Sequence, residues 1–137
     1  MEGAPPMTPT LFLAVAVAGG LGAAVRFLAD ESITRWLRTP ALAKRFKHTQ
    51  GWAIVIVNVT GSFLLGLLAG PLALVAWGRV VSVGFLGGYT TFSTASLNSV
   101  RIALDKGKTA GATYALATYL LSVLAAGLGL VLGALIF

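Results

Sequence analysis

The sequence predicts an all-α integral membrane protein, a single domain with four transmembrane helices. Three observations lead to this fold class: 57% of the 137 residues are hydrophobic, only 10% are charged, and the apolar residues fall into long runs. A soluble domain of this size needs far more charge to cover its surface. A helix that crosses a bilayer needs roughly 20 mainly apolar residues, so four such helices use nearly the whole chain.

Helices and closed barrels are the structures that span lipid, because all their backbone polar groups are paired internally. The apolar runs here are too long and too uniform for barrel strands, in which lipid-facing and inward-facing residues alternate. The connector between residues 71 and 80 is also apolar, so composition alone does not define the boundary there. We expect spans at about 8–28, 51–69, 77–103 and 109–137.

The ends of these runs carry residues that are typical of helix ends and membrane interfaces. Glu2 is the only charged residue before the first run, and without a positive n-region we do not expect a cleaved signal peptide. Trp36 lies within the first connector and Trp52 just beyond it, positions where aromatic rings favour the headgroup region. Gly70 and Pro71 close the second run, because this pair does not continue a helix.

Basic residues are distributed very unequally between the connectors. Nine of the ten Lys and Arg residues belong to the first and third connectors, and Arg79 is the tenth. Positive residues favour the cytoplasmic side of a membrane. We therefore expect a plasma-membrane protein with the basic connectors in the cytoplasm and both termini outside. The nine residues are Arg26, Arg35, Arg38, Lys44, Arg45, Lys47, Arg101, Lys106 and Lys108.

The net charge of +6 has a different meaning here than in a soluble protein. In a soluble domain, an excess of basic residues indicates nucleic acid as a partner. In a chain that is largely embedded in lipid, it fits loops held beside anionic headgroups. The membrane is therefore the expected partner, and nucleic acid is not.

Groups that catalyse reactions or hold metals with side chains are nearly absent from the sequence. There is no cysteine, and the one histidine, His48, cannot form a ligand cluster alone. Without paired acids or a nucleophile and base, we predict no enzyme. A proton-coupled exporter of cationic drugs needs a carboxylate inside the membrane. The acidic residues all lie at loops or ends, which weighs against that class: Glu2, Asp30, Glu31 and Asp105.

Asn58 interrupts the otherwise apolar run of the second span. A primary amide at membrane depth must find hydrogen-bond partners or face water. Two interpretations remain open at this point. The amide either makes a hydrogen bond between helices that holds the bundle together, or it lines an aqueous path.

The segment 84–94, GFLGGYTTFST, is a poor helix former in the middle of the third span. A break here would free backbone carbonyl and amide groups at membrane depth. Such groups are tolerated only where they are buried in protein or line an aqueous site. Freed carbonyls favour cations and freed amides favour anions, so the segment predicts a broken helix at an ion site. A kink that serves packing alone is the alternative.

The fourth span carries three hydroxyl residues at intervals of four: Tyr114, Thr118 and Ser122. This spacing places them on one helical face. One such hydroxyl would bond its own backbone, whereas three in register form a series of donors suited to an anion that sheds water. Glycines in the second and fourth spans favour close helix contacts; they are Gly66, Gly70, Gly127, Gly129 and Gly133.

Three segments together resemble the Fluc/CrcB fluoride channel family. They are residues 19–27 (GGLGAAVRF), residues 57–63 (VNVTGSF) with Gly66, and residues 87–94 (GGYTTFST). They occur in the family's order, and the hydroxyl series fits the fourth span, so the resemblance covers nearly the whole chain. It implies passive, fluoride-specific efflux that lowers cytoplasmic fluoride toxicity. It also implies an antiparallel dimer with two pores and a structural sodium ion at its centre.

The resemblance further implies roles for individual residues. The backbone carbonyls of Gly87 and Thr90 from each subunit would hold the Na⁺. The amide of Asn58 would donate to fluoride, and Phe92 would present the electropositive edge of its ring. Arg26 would shape a vestibule at the pore mouth. The polar track would consist of Tyr114, Thr118 and Ser122.

Two positions depart from the family's usual pattern. Ala95 stands where a second phenylalanine is usual, and Ile54 where a threonine is usual, so both changes remove pore-lining groups. A chain that inserts both ways round to pair with itself should have nearly balanced loops, and nine basic residues against one are not balanced. We therefore favour a dimer with an oppositely oriented paralogue over a dimer with itself. A non-conducting structural partner subunit is the alternative function, followed by a small multidrug-type transporter.

Overall fold

The computed structural model describes residues 7–43, 49–73, 75 and 77–137, and within them the regular structure is helical, without strands. The all-α prediction is confirmed. The helices are α1 (Pro9–Leu37), α2 (Pro40–Ala43), α3 (Thr49–Leu67), α4 (Ala69–Ala73), a π-helical segment (Val80–Leu86), α5 (Gly87–Tyr89), α6 (Phe92–Lys106) and α7 (Lys108–Ile136). Several residues of the sequence argument lie outside the described residues: Glu2, Lys44, Arg45, Lys47 and His48.

Two of the described helices, α1 and α7, are long and apolar enough to cross a membrane, with 29 residues each. The apolar part of α3, Gly51–Leu67, is shorter. Thr8 caps the start of α1, because its hydroxyl accepts from the Leu11 N–H at 3.2 Å. At its other end α1 continues past the apolar run to Leu37.

A break separates α5 from α6 and lies inside the predicted segment 84–94. Thr90 and Thr91 leave the helical conformation, with φ/ψ of −76°/157° and −149°/120°. Thr91 then caps α6, since its hydroxyl oxygen accepts from the Thr94 N–H at 3.3 Å. The π-helical segment precedes the break, and its wider turns are a further departure from regular α-helix.

The backbone of α1 approaches the π-helical segment and α5 very closely. A Cβ atom at Gly22 would overlap the backbone of Phe85 and Tyr89, and one at Gly88 would overlap the backbone of Gly19. These overlaps involve main-chain atoms that cannot move aside as a flexible side chain can. Glycine is therefore required where α1 crosses the segment that leads to the break.

α3 packs against α7 in the same way. Gly66 lies against the backbone of Ala126, Gly129 against that of Phe63, and Gly133 against the end of α3. The prediction of close glycine contacts between the second and fourth spans is confirmed for these three glycines. The contact holds α3 between α7 and the rest of the bundle.

The same prediction is wrong for Gly70 and Gly127, which have nothing within 4 Å of the place where a Cβ would lie. Gly70 lies beyond the end of α3 at Leu67, so it is no longer on the packed helix. Gly127 is two residues before Gly129, about 200° around a helix with 3.6 residues per turn. It therefore points away from α3.

The outer surface of the bundle is strongly apolar, while the buried core is centred on α3. Ala53, Ile54, Val55 and Val57 are buried there. Soluble monomers rarely expose large contiguous apolar patches, so a surface of this kind is suited to lipid or to another subunit. On α1 and α7 the exposed large apolar side chains include Phe12, Leu13, Val17, Leu21, Leu28, Leu116, Leu124, Leu128, Val131 and Leu135.

Candidate ion pathway

A cavity of about 260 Å³ opens beside the helix break, between α3, α6 and α7. Its lining combines the two residues of the break with hydroxyl and amide side chains, in a bundle that is otherwise apolar. Polar groups that converge in this way mark a binding site or a path for a polar species. The lining residues are Asn58, Ser62, Thr90, Thr91, Phe92, Ala95, Ser96, Ser99, Ala115, Thr118, Tyr119 and Ser122.

Asn58 binds both backbone polar groups of Thr91. Its Oδ1 accepts from the Thr91 N–H at 2.7 Å, and its Nδ2 donates to the Thr91 carbonyl at 3.0 Å. Asn58 is only 7% exposed, yet it lines the cavity. The first interpretation of this residue, a hydrogen bond between helices, is therefore present in the structure. Its predicted contact with an anion stays a prediction.

The carbonyls of Gly87 and Thr90 were predicted to hold a sodium ion. In a continuous helix the Thr91 N–H would donate to the Gly87 carbonyl, but here it donates to Asn58. Thr90 is extended, so its carbonyl no longer follows the helix axis. The chemistry fits, because carbonyls released by a broken helix are suited to Na⁺.

The backbone at Gly87 is also open to approach. A Cβ there would meet nothing nearer than the Ser82 carbonyl at 3.8 Å. Within the described residues no group of three or more His, Cys, Asp or Glu side chains could hold a metal ion. A cation bound at the break would therefore depend on backbone oxygens, and the sodium site remains a prediction.

Of the three hydroxyl residues on α7, two line the cavity. The Thr118 hydroxyl donates to its own helix, at the Tyr114 carbonyl, at 2.8 Å. The Ser122 hydroxyl is buried and has no hydrogen-bond partner in the described structure. The Tyr114 hydroxyl instead donates to the Gly51 carbonyl at 2.9 Å and joins α7 to the first turn of α3. Tyr114 is thus not brought together with the other two.

Phe92 is the first residue of α6 and lines the cavity together with Ala95. It is 88% exposed, the largest fraction among the exposed large hydrophobic residues of the described chain. An aromatic ring carries a positive edge that can face an anion. So exposed a ring at membrane depth is available both to an ion in the cavity and to a second subunit.

A second cavity, of about 640 Å³, lies between α1, α3 and α6. Three arginines and two acids line it: Arg35, Arg38, Arg101, Asp30 and Glu31. Glu31 and Arg35 form an ion pair at 2.6 Å. This cavity has the charged lining expected of a vestibule on the side of the basic connectors.

The predicted vestibule residue, Arg26, is not part of that lining. Its Nε is buried without a hydrogen-bond partner in the described structure, while the neighbouring Phe27 lines the cavity. Burial raises the pKa of the Asp30 carboxyl, one helical turn further on, and the positive charge of Arg26 opposes that rise. Arg26 therefore acts on this cavity through its charge rather than through contact.

Sequence reasoning missed three hydroxyl residues of the first cavity, Ser62, Ser96 and Ser99. Ser62 follows Asn58 by four residues on α3, and the other two follow Phe92 by four and seven residues on α6. These spacings place each serine on the same helical face as the residue before it. Helical periodicity counted from Asn58 and Phe92 would have found them.

Comparison with known protein families decides what kind of protein carries this arrangement. Residues 13–130 match the family described as CrcB-like protein, Camphor Resistance (CrcB). The chain belongs to the CrcB-like family. It is accordingly a membrane protein, and the resemblance carried by its three segments is confirmed.

Relatives of this CrcB-like chain cover nearly its whole length. It is 42% identical over 134 residues to "Fluoride-specific ion channel FluC 1" of Leifsonia xyli subsp. xyli, which covers 94% of this chain and 90% of the relative. It is 42% identical over 130 residues to "Fluoride-specific ion channel FluC" of Rhodospirillum centenum, covering 88% and 94%. It is 38% identical over 121 residues to "Fluoride-specific ion channel FluC 2" of Bacillus thuringiensis subsp. konkukian, covering 88% and 95%.

The two departures from the family's usual pattern both lie at cavities of this CrcB-like chain. Ala95 lines the cavity beside the break, and Ile54 lines the charged cavity. An alanine methyl group offers no ring edge and an isoleucine offers no hydroxyl. At these two points the chain by itself presents apolar surface to whatever occupies the cavities.

Proposed function

We propose that this chain is a subunit of a fluoride-specific ion channel, which lets fluoride leave the cell passively and so reduces its toxicity. It is a channel subunit and not an enzyme. The observation that carries the proposal is the polar cavity beside the helix break, in a chain whose relatives are named fluoride-specific ion channels. Family membership also removes the small multidrug-type transporter from the candidates.

The physical need for such a lining follows from the size of fluoride. A small, strongly hydrated anion cannot enter hydrocarbon bare. Several weak donors can replace its water and still release it on the other side. Weakly acidic HF enters across lipid and ionises in the cytoplasm, and the membrane potential then drives the anion out with about 2.3 kcal/mol per charge per 100 mV. No ATP or proton site is required.

The described contacts indicate which groups can donate to the anion. The Asn58 amide carries two N–H groups, and one of them is used by the Thr91 carbonyl, which leaves the other for fluoride. The Ser122 hydroxyl is unpartnered in the described structure, so it can donate without breaking another bond. Thr118 already donates to its own backbone and must rotate first. Phe92 contributes its ring edge.

The proposal includes four transmembrane spans: α1, α3, the segment 80–106 and α7. α1 and α7 have the necessary length. The 19 residues of α3 would extend about 28 Å at 1.5 Å per residue, close to the roughly 30 Å of a hydrocarbon core. With four spans both termini lie on one side, and the basic connectors support placing them outside the plasma membrane.

The proposal also includes an antiparallel dimer with Na⁺ at its centre. The exposed ring of Phe92 and the apolar outer faces of α1 and α7 support a second subunit. The released carbonyls of Gly87 and Thr90 would hold the ion, which supplies positive charge where two broken helices meet. The uneven basic charge favours a paralogue of opposite orientation as the partner, over a second copy of this chain.

A second candidate function is a non-conducting structural subunit that supports an active paralogue. The specific observation in its favour is that Ala95 and Ile54 remove groups from the two cavities. In that case the partner would supply the working pore. The two functions differ in whether cavity residues of this chain affect the flux.

Fluoride efflux from liposomes tests the proposal, with the chain reconstituted alone and with a co-expressed paralogue of opposite loop charge. Flux that requires the paralogue supports the preferred dimer. Dimers formed by this chain alone, whose termini label from both sides of the membrane, would overturn that preference. Absence of flux in both preparations would overturn the channel function.

A variant of Ser122 separates the two candidate functions. Ser122→Ala removes a hydroxyl that has no partner in the described structure, so it should leave folding intact. A fall in fluoride efflux from the dimer supports a conducting subunit. Efflux that is unchanged in both Ser122→Ala and Asn58→Leu dimers would identify this chain as the structural partner.

A further inference from the structure

The amide of Asn58 has a role at the helix break that differs from donation to an anion. We infer that Asn58 is a positioning residue, which holds the break between α5 and α6 open and thereby presents the Gly87 carbonyl to a sodium ion. The inference deepens the proposed function and rests on its cation site. It is argued from the two hydrogen bonds between Asn58 and Thr91.

The first step concerns the single N–H group of Thr91, which has two competing acceptors. In a regular helix it would donate to the Gly87 carbonyl. In the structure it donates to Asn58 Oδ1 at 2.7 Å. Because one N–H makes one good hydrogen bond, the bond to Asn58 and the helical bond to Gly87 exclude each other. The Gly87 carbonyl is free as long as Asn58 keeps the N–H.

The second step is that the other polar groups around the break are satisfied locally. The N–H and the hydroxyl of Thr90 both donate to the Leu86 carbonyl, at 3.0 and 3.1 Å. The Thr91 hydroxyl oxygen accepts from the Thr94 N–H. The N–H and C=O of Thr91 are different, because their partner comes from another helix, 33 residues earlier in the chain.

The third step is energetic. An unpaired backbone group at bilayer depth costs several kcal/mol, so an open break without Asn58 would leave two such groups on Thr91. Closing the helix would remove much of that cost by returning the Thr91 N–H to Gly87. Asn58 therefore decides between an open and a closed segment.

The side-chain chemistry at position 58 fits this role closely. Thr91 offers one donor and one acceptor, and a primary amide supplies one of each within a single planar group. A carboxylate could only accept, and an aliphatic side chain could do neither. Val57 and Val55 on either side of the amide are buried, so the group is held by a packed helix rather than by a loop.

The consequence is a link between the cavity lining and the expected cation site. Asn58 lines the cavity, and the same side chain releases the Gly87 carbonyl. The space beside Gly87 is open, since a Cβ there would meet nothing nearer than 3.8 Å. Loss of the amide should therefore weaken sodium binding as well as fluoride flux.

Sodium-dependent thermal stability of the purified dimer tests the inference. The unfolding temperature is measured in NaCl and in N-methylglucamine chloride at equal ionic strength, over a series of sodium concentrations. A ligand that binds the folded state raises this temperature by mass action. We expect wild type to be stabilised by sodium, and Asn58→Leu to need at least about 10-fold more sodium for the same effect, or to lose it.

Two further variants keep the test decisive. Ser62→Ala is the matched control: Ser62 lies one turn from Asn58 and lines the same cavity, and the variant should keep the wild-type sodium response. Asn58→Thr adds no charge and keeps one hydroxyl for Thr91, so an intermediate response of about 3-fold is expected. Asn58→Thr decides the question if Asn58→Leu fails to fold.

The outcomes separate the inference from the proposed function. An Asn58 variant that loses flux but keeps the wild-type sodium response would show that the amide serves the anion alone, and the inference falls. A wild-type dimer that conducts fluoride without any sodium response also overturns the inference, while the channel stands. A wild-type dimer without flux is the failure of the proposed function.

Discussion

The segment 80–106 and α7 satisfy their polar groups in opposite ways. α7 is one continuous helix of 29 residues, and its Thr118 hydroxyl bonds a carbonyl of the same helix. The segment 80–106 passes from π-helix to α-helix and breaks at Thr90–Thr91, where Asn58 of α3 completes the hydrogen bonding. A continuous helix can place polar groups by its own geometry, whereas a broken one depends on a tertiary contact.

The largest expected effect concerns how closely the continuous helix is packed. Gly129→Val on α7 places side-chain atoms against the backbone of Phe63, so we expect a loss of about 1–3 kcal/mol or more in the free energy of unfolding. Gly127→Val is the matched control, because nothing lies within 4 Å of its Cβ position. Thermal unfolding in detergent measures both. Equal losses in the two variants would mean that α7 does not pack on α3 as described.

The next effect tests the broken helix at its own cap. Thr91→Ala removes the hydroxyl oxygen that accepts from the Thr94 N–H and leaves the backbone bonds to Asn58 in place. Loss of an N-cap costs about 0.5–2 kcal/mol, measured as a lower unfolding temperature. The comparable change on α7, Thr118→Ala, should cost less, because its hydroxyl caps no helix end. A larger cost for Thr118→Ala would reverse the comparison.

A somewhat smaller effect is expected where α7 makes its own tertiary bond. Tyr114→Phe removes the hydroxyl that donates to the Gly51 carbonyl, and we expect a loss of about 0.5–1.5 kcal/mol in the free energy of unfolding. Fluoride efflux per folded dimer should stay at the wild-type level, since Tyr114 is not among the cavity-lining residues. Efflux reduced as strongly as in Ser122→Ala would return Tyr114 to the polar track.

The smallest effect on stability is expected for Thr118→Val. Valine keeps the shape of threonine, and the lost hydrogen bond is one that the helix makes with itself, so the free energy of unfolding should change by less than about 0.5 kcal/mol. Fluoride efflux should nevertheless fall, because the hydroxyl oxygen lines the cavity. A variant that is strongly destabilised would show that α7 does not satisfy this polar group locally.

Much of the fold could be predicted from composition and local pattern. The low charge and long apolar runs indicated helices, and adjacent glycines with successive threonines indicated the interruption near residue 90. Glycine spacing identified Gly66, Gly129 and Gly133 as contact residues but also included Gly70 and Gly127, which lie off the packed face. Spacing alone does not say which side of a helix meets a neighbour.

The candidate site was predicted in part. Asn58, Phe92, Thr118 and Ser122 do line one cavity, and Ser96 could have been added by counting along α6. The bond between Tyr114 and Gly51 joins residues 63 positions apart, so no local pattern could have revealed it. The placement of Arg26 behind the charged cavity depends in the same way on how α1 crosses its neighbours.

The sequence by itself determined that this chain forms apolar helices, where one of them is prone to break, and which family it belongs to. These properties follow from residue type and short-range spacing, which act within a turn or two of helix. The tertiary structure decided which group completes the break and which hydroxyls reach the cavity. Such pairings depend on how closely the helix backbones approach each other, and that distance is set by glycines on helices that are far apart in the chain.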